Sequence, residues 1–188
     1  MSEHIVSRTI SFQELTAHHD VSSFRCGKDA LDNFIGKFAT GHPRQGLSRT
    51  WVAIHDDRIV AFYTLALATV TTRSATARVA KGAPRLDLPA ILLARLAVDR
   101  PFQGQGLGAI VLEQALRRCL TMADAAQAAN AVALPVRAIL VHAKDEEAAG
   151  FYEHAGFERS PTDPLHLMVL VKDLKRLLTR STPAPPGR

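Results

Sequence analysis

The sequence predicts a single α+β domain in which helices flank a central sheet. Short runs of β-branched and apolar residues, typical of strands, are interspersed with segments whose apolar residues repeat at the helical period. A glycine-rich turn separates one apolar strand from the longest helical pattern. The 188 residues are enough for one full hydrophobic core, and no internal repeat is visible. We therefore assign residues 1–175 to one domain and residues 176–188, which contain proline and arginine, to a disordered tail.

The first third of the chain predicts one helix among strands. Residues 28–38 carry apolar side chains at Leu31, Phe34, Ile35 and Phe38, which is the spacing of a helix with one buried face. Strands are predicted at residues 7–10, 50–54 and 59–70, and a turn at 55–58 joins the last two into a hairpin.

The remaining elements alternate between strands and helices. Residues 73–89 are basic and interrupted by proline, which favours a loop with at most a short helix. The apolar run 91–98 suits a strand that is buried on both faces. A helix at 107–129, a strand at 137–143, a helix at 145–155 and a strand at 165–171 complete the predicted order.

Charge and cysteine content restrict the class of protein. The formal net charge of +5 indicates either a polyanionic partner or a mildly basic protein with solvated cations. No stretch approaches the roughly 18 consecutive apolar residues of a membrane span, and we expect neither a membrane segment nor a signal peptide. Cys26 and Cys119 are far apart in sequence, so we expect reduced thiols in a cytoplasmic protein.

The turn at residues 103–108, Gln-Gly-Gln-Gly-Leu-Gly, is the strongest functional motif. Amide groups at a helix start lack intrahelical partners and attract anions, and glycine lets a phosphate approach the backbone. A dinucleotide-binding fingerprint would need G-x-G-x-x-G and a later acidic residue, and a P-loop would need Lys-Ser or Lys-Thr; neither pattern is present. Two interpretations remain: a Gln-x-x-Gly-x-Gly phosphate loop, or a turn that only packs a helix on a sheet.

This loop and the strand before it resemble the acetyl-CoA motif of the GCN5-related N-acetyltransferases (GNAT). The resemblance implies an α/β/α-type fold with a mixed, mostly antiparallel sheet whose central strands splay apart. It implies acetyl-CoA as co-substrate and no metal. The strand residues Leu96, Ala97 and Val98 would bind the pantetheine arm. The pyrophosphate would be held by the loop and the first helical turn, that is, by Gln103, Gly104, Gln105, Gly106, Leu107, Gly108 and Ala109.

A second motif, Phe-Tyr-Glu-His-Ala-Gly-Phe at 151–157, places Tyr152 near the end of a predicted helix. In the family that it resembles, this tyrosine lies near the sulfur of the cofactor. A phenol, with a pKa of about 10, can donate a proton to the departing coenzyme A thiolate. The alternative is a tyrosine that only covers the core with a polar tip. Together with the loop, the motif favours Tyr152 as the catalytic acid.

A general base is not evident from the sequence. Many GNAT members carry a glutamate on the strand before the loop, but residues 92–96 hold no carboxylate. An α-amino group, with a pKa near 7.7–8.0, needs a base less than a lysine amine near 10.4 does. The departure therefore favours an α-amine acceptor and a water as the proton carrier. Asp99, His142, Glu146 and Glu147 are alternatives, although a place on the surface of a helix or strand is the commoner explanation for each of them.

Four further segments resemble one branch of the family, the TacT-like acetyltransferase toxins of toxin–antitoxin pairs. They cover residues 24–32, 46–52, 93–99 and 137–143. The run Ala-Arg-Leu-Ala-Val-Asp at 94–99, joined to the early Cys-Gly-x-x-Ala-Leu-Asp, is the most specific part. The resemblance implies acetylation of the α-amino group of charged tRNA, which stops translation. An acetyltransferase for a small-molecule or protein amine is the alternative.

The same branch implies partners. Cations in the part of the chain before the loop are expected to bind tRNA phosphates. Arg95 is the best candidate because it lies on the cofactor strand, and the others are Arg44, Arg49, Arg78 and Lys81. A cognate ribbon-helix-helix antitoxin would neutralise the toxin and share with it a secondary role as repressor. A homodimer is also implied.

Overall fold

The computed structural model describes residues 10–39, 48–129 and 135–180. In chain order, its strands and helices are β1 (Ser11–Glu14), α1 (Asp29–Ala39), β2 (Ser48–His55), β3 (Arg58–Val70), α2 (Ala77–Ala80), β4 (Leu88–Val98), α3 (Leu107–Ala128), β5 (Ala138–His142), α4 (Glu146–His154), β6 (Glu158–Arg159), β7 (His166–Leu170) and α5 (Val171–Arg180). A short 3-10 helix, Arg100–Phe102, stands between β4 and α3.

The seven strands of the described residues are ordered β1-β2-β3-β4-β5-β7-β6 in one mixed sheet. The pairs β1–β2, β2–β3, β5–β7 and β6–β7 are antiparallel, and one pair in the sheet is parallel. This arrangement confirms the predicted α+β class and the mostly antiparallel sheet that the family resemblance implies.

The chain divides into two compact units. The first comprises the described residues up to Ala66 together with Leu93–Ala115, and the second comprises Leu67–Leu92 and the described residues from Leu116 onward. The strands β3 and β4 and the helix α3 each begin in one unit and end in the other. The single domain expected at residues 1–175 stays a prediction.

The first unit has its core between α1 and the β2–β3 hairpin. Phe62 is fully buried between Phe24 and Phe34, with ring centroids 5.3 and 5.9 Å away. Ile35 of α1 and Ala97 of β4 belong to the same buried cluster. The predicted helix and hairpin are therefore confirmed, and the apolar stripe of the helix is what packs.

The second unit has its core around β5, β7 and the segment that contains α2. Val79, Leu88, Leu140 and Met168 are among its buried residues. Thr76 caps α2, because its side chain accepts a hydrogen bond from Val79 N–H. This short helix lies within the segment 73–89 for which a loop with a short helix is predicted.

The starts of two strands differ most from the sequence prediction. The sequence places the first strand at 7–10, but in the described residues it begins at Ser11, and residues 7–9 lie outside them. β4 begins at Leu88 rather than residue 91, because Pro89 still contributes its carbonyl, which accepts from Arg137 N–H at 2.7 Å.

Two described elements, β6 and α5, are not predicted from the sequence, and α5 is the longer of them. Leu174 is fully buried, and Leu177 and Leu178 follow at the i+3 and i+4 positions. Because α5 extends to Arg180, residues 176–180 of the expected tail are helical, whereas 181–188 lie outside the described residues.

Candidate functional site

The glycine-rich turn leads from the end of β4 into α3, which begins at Leu107. Gly104 and Gly106 have φ angles of +71° and +82°, in the left-handed region that favours glycine. A Cβ atom added at either glycine would meet no atom within 4 Å. The space into which a Cβ atom would point is therefore open at both glycines.

The amide groups of residues 104–108 make no hydrogen bond to another described residue. The hydrogen bonds of α3 begin instead with Ala109 and Ile110, whose N–H groups both donate to the carbonyl of Gly106, at 3.1 and 3.4 Å. Unpaired amides at the positive end of a 22-residue helix attract an anion. The open glycines and the unpaired amides together suit a diphosphate.

Two glutamine side chains support this turn. The Gln103 Nε2 donates to the carbonyls of Val98 and Cys26, at 2.8 and 2.9 Å. The Gln105 Nε2 donates to the Pro101 carbonyl at 2.7 Å. Gln103 thus uses both of its side-chain N–H donors on protein backbone, whereas Gln105 uses one of its two. Their predicted role in cofactor binding stays a prediction.

The residues predicted to bind the pantetheine arm form the end of β4. Ala97 is buried in the core of the first unit, while Leu96 and Val98 are half-buried. Ala109 is exposed on the first turn of α3. The Leu96 and Val98 side chains are thus partly accessible, and the Val98 carbonyl already accepts from Gln103 Nε2. The predicted role of this strand end in binding pantetheine stays a prediction.

Asp99 is not the surface carboxylate that the sequence analysis considers. It is 2% exposed, and its Oδ1 accepts from Arg25 N–H at 2.9 Å. Its Oδ2 lies 3.4 Å from the Arg58 guanidinium. Because both oxygens are engaged with buried or charged partners, we exclude Asp99 as a general base.

The cations predicted on the first unit have different surroundings. Arg95 is half-buried, and its guanidinium carbon lies 3.8 Å from the centroid of the Phe34 ring, a cation–π contact. Arg49 is exposed, and its guanidinium lies 3.7 Å from the Glu14 carboxylate. Arg44 lies outside the described residues.

Tyr152 lies on α4 in the second unit. The helix is capped by Asp145, whose Oδ1 accepts from Ala148 N–H at 2.9 Å. The Tyr152 ring contacts the rings of Phe151 and Phe157, with centroids 5.2 and 5.7 Å away. Burial raises the pKa of the Tyr152 phenol to about 12, so the phenol stays protonated at physiological pH.

An ion-pair network ties α4 to β6. Arg159 donates to both carboxylate oxygens of Glu153, at 2.8 and 3.0 Å, and to Glu146 at 2.8 Å. Glu146 is thereby occupied as an ion-pair partner, which argues against it as a base, while Glu147 is exposed on the same helix. The network holds the helix that carries Tyr152.

His142 is the remaining base candidate, and the structure pairs it with a residue that sequence reasoning missed. Its ring stacks on that of His166 with centroids 3.9 Å apart, and the His166 Nε2 lies 3.5 Å from the Asp163 carboxylate. Burial is the main cause that lowers the pKa of His142, and the nearby His166 is the second, whereas Asp163 acts in the opposite direction. A neutral imidazole can accept a proton. No sequence signal could find the pair, because it depends on the β5–β7 register.

The two cations predicted on the second unit also differ. Arg78 donates to the Asp173 carboxylate at 2.6 and 2.9 Å and lies 3.6 Å from Glu158. Lys81 is exposed, and its carbonyl accepts a hydrogen bond from Arg137. The positive charge of Arg78 is thus largely balanced within the protein.

Neither a metal-binding cluster nor a membrane-spanning helix is present in the described ranges. Residues 10–39, 48–129 and 135–180 contain no group of three or more His, Cys, Asp or Glu side chains that could hold a metal ion. Over the same residues, none of the helices combines the length and apolar character that crossing a bilayer requires. Cys26 and Cys119 are free and buried, and burial raises their pKa values to about 11 and about 12.

Comparison with known proteins matches residues 46–159 to the family model of the acetyltransferase (GNAT) domain. The chain is 48% identical over 159 residues to the tRNA-acetylating toxin of Mycobacterium tuberculosis, which covers 85% of this chain and 90% of that protein. Among solved structures, AtaT complexed with acetyl-methionyl-tRNAfMet aligns with a TM-score of 0.76 at 24% identity, covering 90% of this chain and 99% of that one. A tyrosine-to-phenylalanine mutant of the toxin AtaT, bound to the C-terminus of the antitoxin AtaR and to acetyl-CoA, aligns with a TM-score of 0.71 at 24% identity, covering 91% and 99%.

Proposed function

Because the chain belongs to the GNAT acetyltransferase family, we propose that it is a toxin that acetylates the α-amino group of the amino acid on charged tRNA. An acetylated amine is no longer a nucleophile, so the modified aminoacyl-tRNA cannot take part in peptide transfer and translation stops. The 48% identity to a tRNA-acetylating toxin over most of both chains carries this proposal.

The open turn supports the choice of acetyl-CoA as co-substrate. The unpaired amides of residues 104–108 hold the pyrophosphate, and the backbone of Leu96, Ala97 and Val98 meets the pantetheine arm. Gly104 and Gly106 leave room for the phosphates because neither carries a Cβ atom. Acetyl-CoA supplies the activated thioester when it is bound.

Tyr152 donates a hydrogen bond, and then its proton, to the sulfur that leaves. Its raised pKa, about 12, keeps the donor protonated. Because a thiolate, with an ordinary pKa of about 8.5, is a weaker base than such a tyrosinate, this transfer is uphill even when the sulfur carries its full negative charge, and the tyrosinate is reprotonated by the proton that the acceptor amine releases. The phenol therefore acts late, on the departing group, rather than on the incoming amine.

The proton of the acceptor amine leaves to water or to His142. Two of the carboxylates considered, Asp99 and Glu146, are held by arginine or backbone donors. The lowered pKa of His142 keeps its imidazole neutral at pH 7. An α-amino group on an esterified amino acid needs only such a weak base.

Cationic side chains bind the tRNA phosphates. Arg95, Arg49, Arg44 and Lys81 are the candidates, and Arg95 is favoured by its place on β4. Arg78 contributes less, since Asp173 and Glu158 already balance its charge. Phosphate contacts of this kind weaken as salt rises.

We further propose that a cognate ribbon-helix-helix antitoxin neutralises the enzyme in the cytoplasm, and that the toxin is a homodimer which joins its antitoxin in repression. The complex of AtaT with the C-terminus of AtaR supports an antitoxin partner.

Growth arrest tests the toxin function. Expression of the wild-type chain without an antitoxin should stop growth, and the Tyr152→Phe variant, which removes one oxygen and keeps the ring packing, should restore it at equal protein level. Cultures that grow normally while they contain active wild-type acetyltransferase would overturn the proposal.

The alternative function is acetylation of a small-molecule or protein amine. The same turn and Tyr152 would serve it, so the acceptor decides. Polyamines, aminoglycosides and lysine peptides should give turnover far below that of charged tRNA. Efficient turnover of one of them, together with none on charged tRNA, would favour the alternative.

A further inference from the structure

The segment of Phe24, Arg25, Cys26 and Gly27, here the strap, precedes α1. Phe24 is fully buried in the core of the first unit and Cys26 is 7% exposed. Cys26 and Gly27 open the run Cys-Gly-x-x-Ala-Leu-Asp, which ends at Asp32. The Phe24 and Cys26 side chains therefore anchor the strap in the core. The N–H and carbonyl groups of its backbone are left to make hydrogen bonds with other segments.

The backbone of the strap makes three hydrogen bonds to Asp99 and Arg100, which precede the glycine-rich turn, and to Gln103, its first residue. Arg25 N–H donates to Asp99 Oδ1 at 2.9 Å, and the Arg25 carbonyl accepts from Arg100 N–H at 2.9 Å. The Cys26 carbonyl accepts from Gln103 Nε2 at 2.9 Å. The residues that lead from β4 into the turn are thus bonded to the strap over most of their length.

Asp32 of α1 holds the other side of the strap. Its Oδ1 accepts from Cys26 N–H at 2.8 Å, and its Oδ2 accepts from Gly27 N–H at 3.2 Å. Both oxygens of this one carboxylate are therefore used on consecutive amides.

Two consecutive peptide groups connect Asp32 with the turn. In the Arg25–Cys26 peptide, the N–H faces Asp32 and the carbonyl faces Arg100. In the Cys26–Gly27 peptide, the N–H faces Asp32 and the carbonyl faces Gln103. A carboxylate at the N–H of a peptide group makes its carbonyl a stronger acceptor, so the bonds on either side reinforce each other.

Gly27 completes the arrangement. Its φ angle is +83°, and a Cβ atom there would lie 2.6 Å from Arg100 Nε, closer than any real contact. The positive φ angle is what favours glycine here, since the flexible Arg100 side chain can move aside.

We propose that Asp32, acting through the strap, is a positioning residue for the phosphate-binding turn and sets the affinity for coenzyme A. Asp32 touches no ligand in this account; it fixes the peptide groups to which Arg100 and Gln103 bond, and these fix the amides of residues 104–108. The inference rests on the proposed cofactor role of the turn.

Calorimetric titration of the full chain with coenzyme A tests this. In Asp32→Asn the side-chain amide keeps one oxygen that can accept from a strap N–H. Its NH₂ group cannot accept from the other strap N–H, so the variant loses one hydrogen bond and the negative charge. Coenzyme A affinity should fall about ten-fold. The matched control is Asp29→Asn, an exposed carboxylate in the first turn of the same helix, which should bind as the wild type does.

A double-mutant cycle that combines Asp32→Asn with Gln103→Ala shows whether Asp32 acts through the turn. Once the Gln103 link to Cys26 is gone, Asp32→Asn should cost less affinity than it does in the wild type. Hydrogen exchange on the wild type provides a test that needs no variant, because coenzyme A should increase the protection of the Cys26 and Gly27 amides.

The outcomes separate this inference from the proposed function. If the folded wild type takes up no coenzyme A, the proposed function fails and this inference fails with it. If the wild type binds while Asp32→Asn matches Asp29→Asn, or if the strap amides do not respond to coenzyme A, the positioning role is overturned and the proposed function stands.

Discussion

His142 and His166 lie opposite each other in the antiparallel β5–β7 pair, with their ring centroids 3.9 Å apart and their planes inclined by 22°. Two stacked imidazoles at this distance resist carrying two positive charges. Burial and His166 lower the pKa of His142, whereas Asp163 acts in the opposite direction.

This pair predicts a loss of stability on the acid side. The unfolded chain takes up a proton at His142 as the pH falls through its ordinary pKa of about 6.5, while the folded chain resists. The stability that the neutral form contributes is therefore complete above that pH and declines below it. Thermal unfolding at about pH 7.5 and about pH 5.5 should show a smaller acid-side decrease for His142→Gln than for the wild type. His18→Gln, an exposed histidine, is the control, and an identical decrease in all three proteins would contradict the prediction.

Tyr152→Phe should lower turnover about a hundred-fold while coenzyme A affinity changes little. The variant removes the phenol that protonates the sulfur but keeps the ring contacts with Phe151 and Phe157. Steady-state kinetics and calorimetry on the same preparation separate the two effects. Comparable losses in both would mean that Tyr152 only shapes the binding surface.

Gly106→Asp should abolish coenzyme A binding, because a carboxylate would stand beside the amides that hold the phosphates. The strain of a side chain at φ +82° is a separate effect. Gly106→Ala measures that strain without the charge, and Gly82→Asp places the same charge at φ +69° in the second unit. Both controls should still bind coenzyme A. Unchanged binding by Gly106→Asp would remove the turn from the cofactor site.

Arg95→Glu should raise the KM for charged tRNA, and the effect should shrink as salt rises. Arg95→Gln, which removes the charge without reversing it, should reduce the slope of log affinity against log salt by about 1. Both variants also lose the cation–π contact with Phe34, so the thermal unfolding midpoint of each variant must be measured to detect any loss of stability. A salt-independent loss would assign Arg95 to packing alone.

The sequence predicts the elements that form from patterns of consecutive residues. The turn at 103–108 can be predicted because strand, glycines and helix follow one another, and the β2–β3 hairpin and α1 show strand and helix periodicity directly. The hydrogen bonds that hold the turn cannot be predicted in this way. Arg25 and Asp99 are 74 positions apart, and Arg78 and Asp173 are 95 apart, so their bonds depend on a fold that no local pattern specifies.

The burial of a polar residue is equally hard to predict. Asp99 follows an apolar strand and looks like an ordinary strand end, yet the backbone of Arg25 and the guanidinium of Arg58 make a buried carboxylate tolerable there. The helix α5 was missed because its amphipathic pattern follows the last predicted strand without a break.

Mass spectrometry of an aminoacyl-tRNA pool, after incubation with the purified chain and isotopically labelled acetyl-CoA, tests the acceptor directly. The proposed function predicts label on the α-amino group of at least one aminoacyl-tRNA, and labelling about a hundred-fold slower in the same pool treated with Tyr152→Phe. Unlabelled aminoacyl-tRNA, from a preparation that binds coenzyme A and acetylates a lysine peptide or a polyamine, would contradict it.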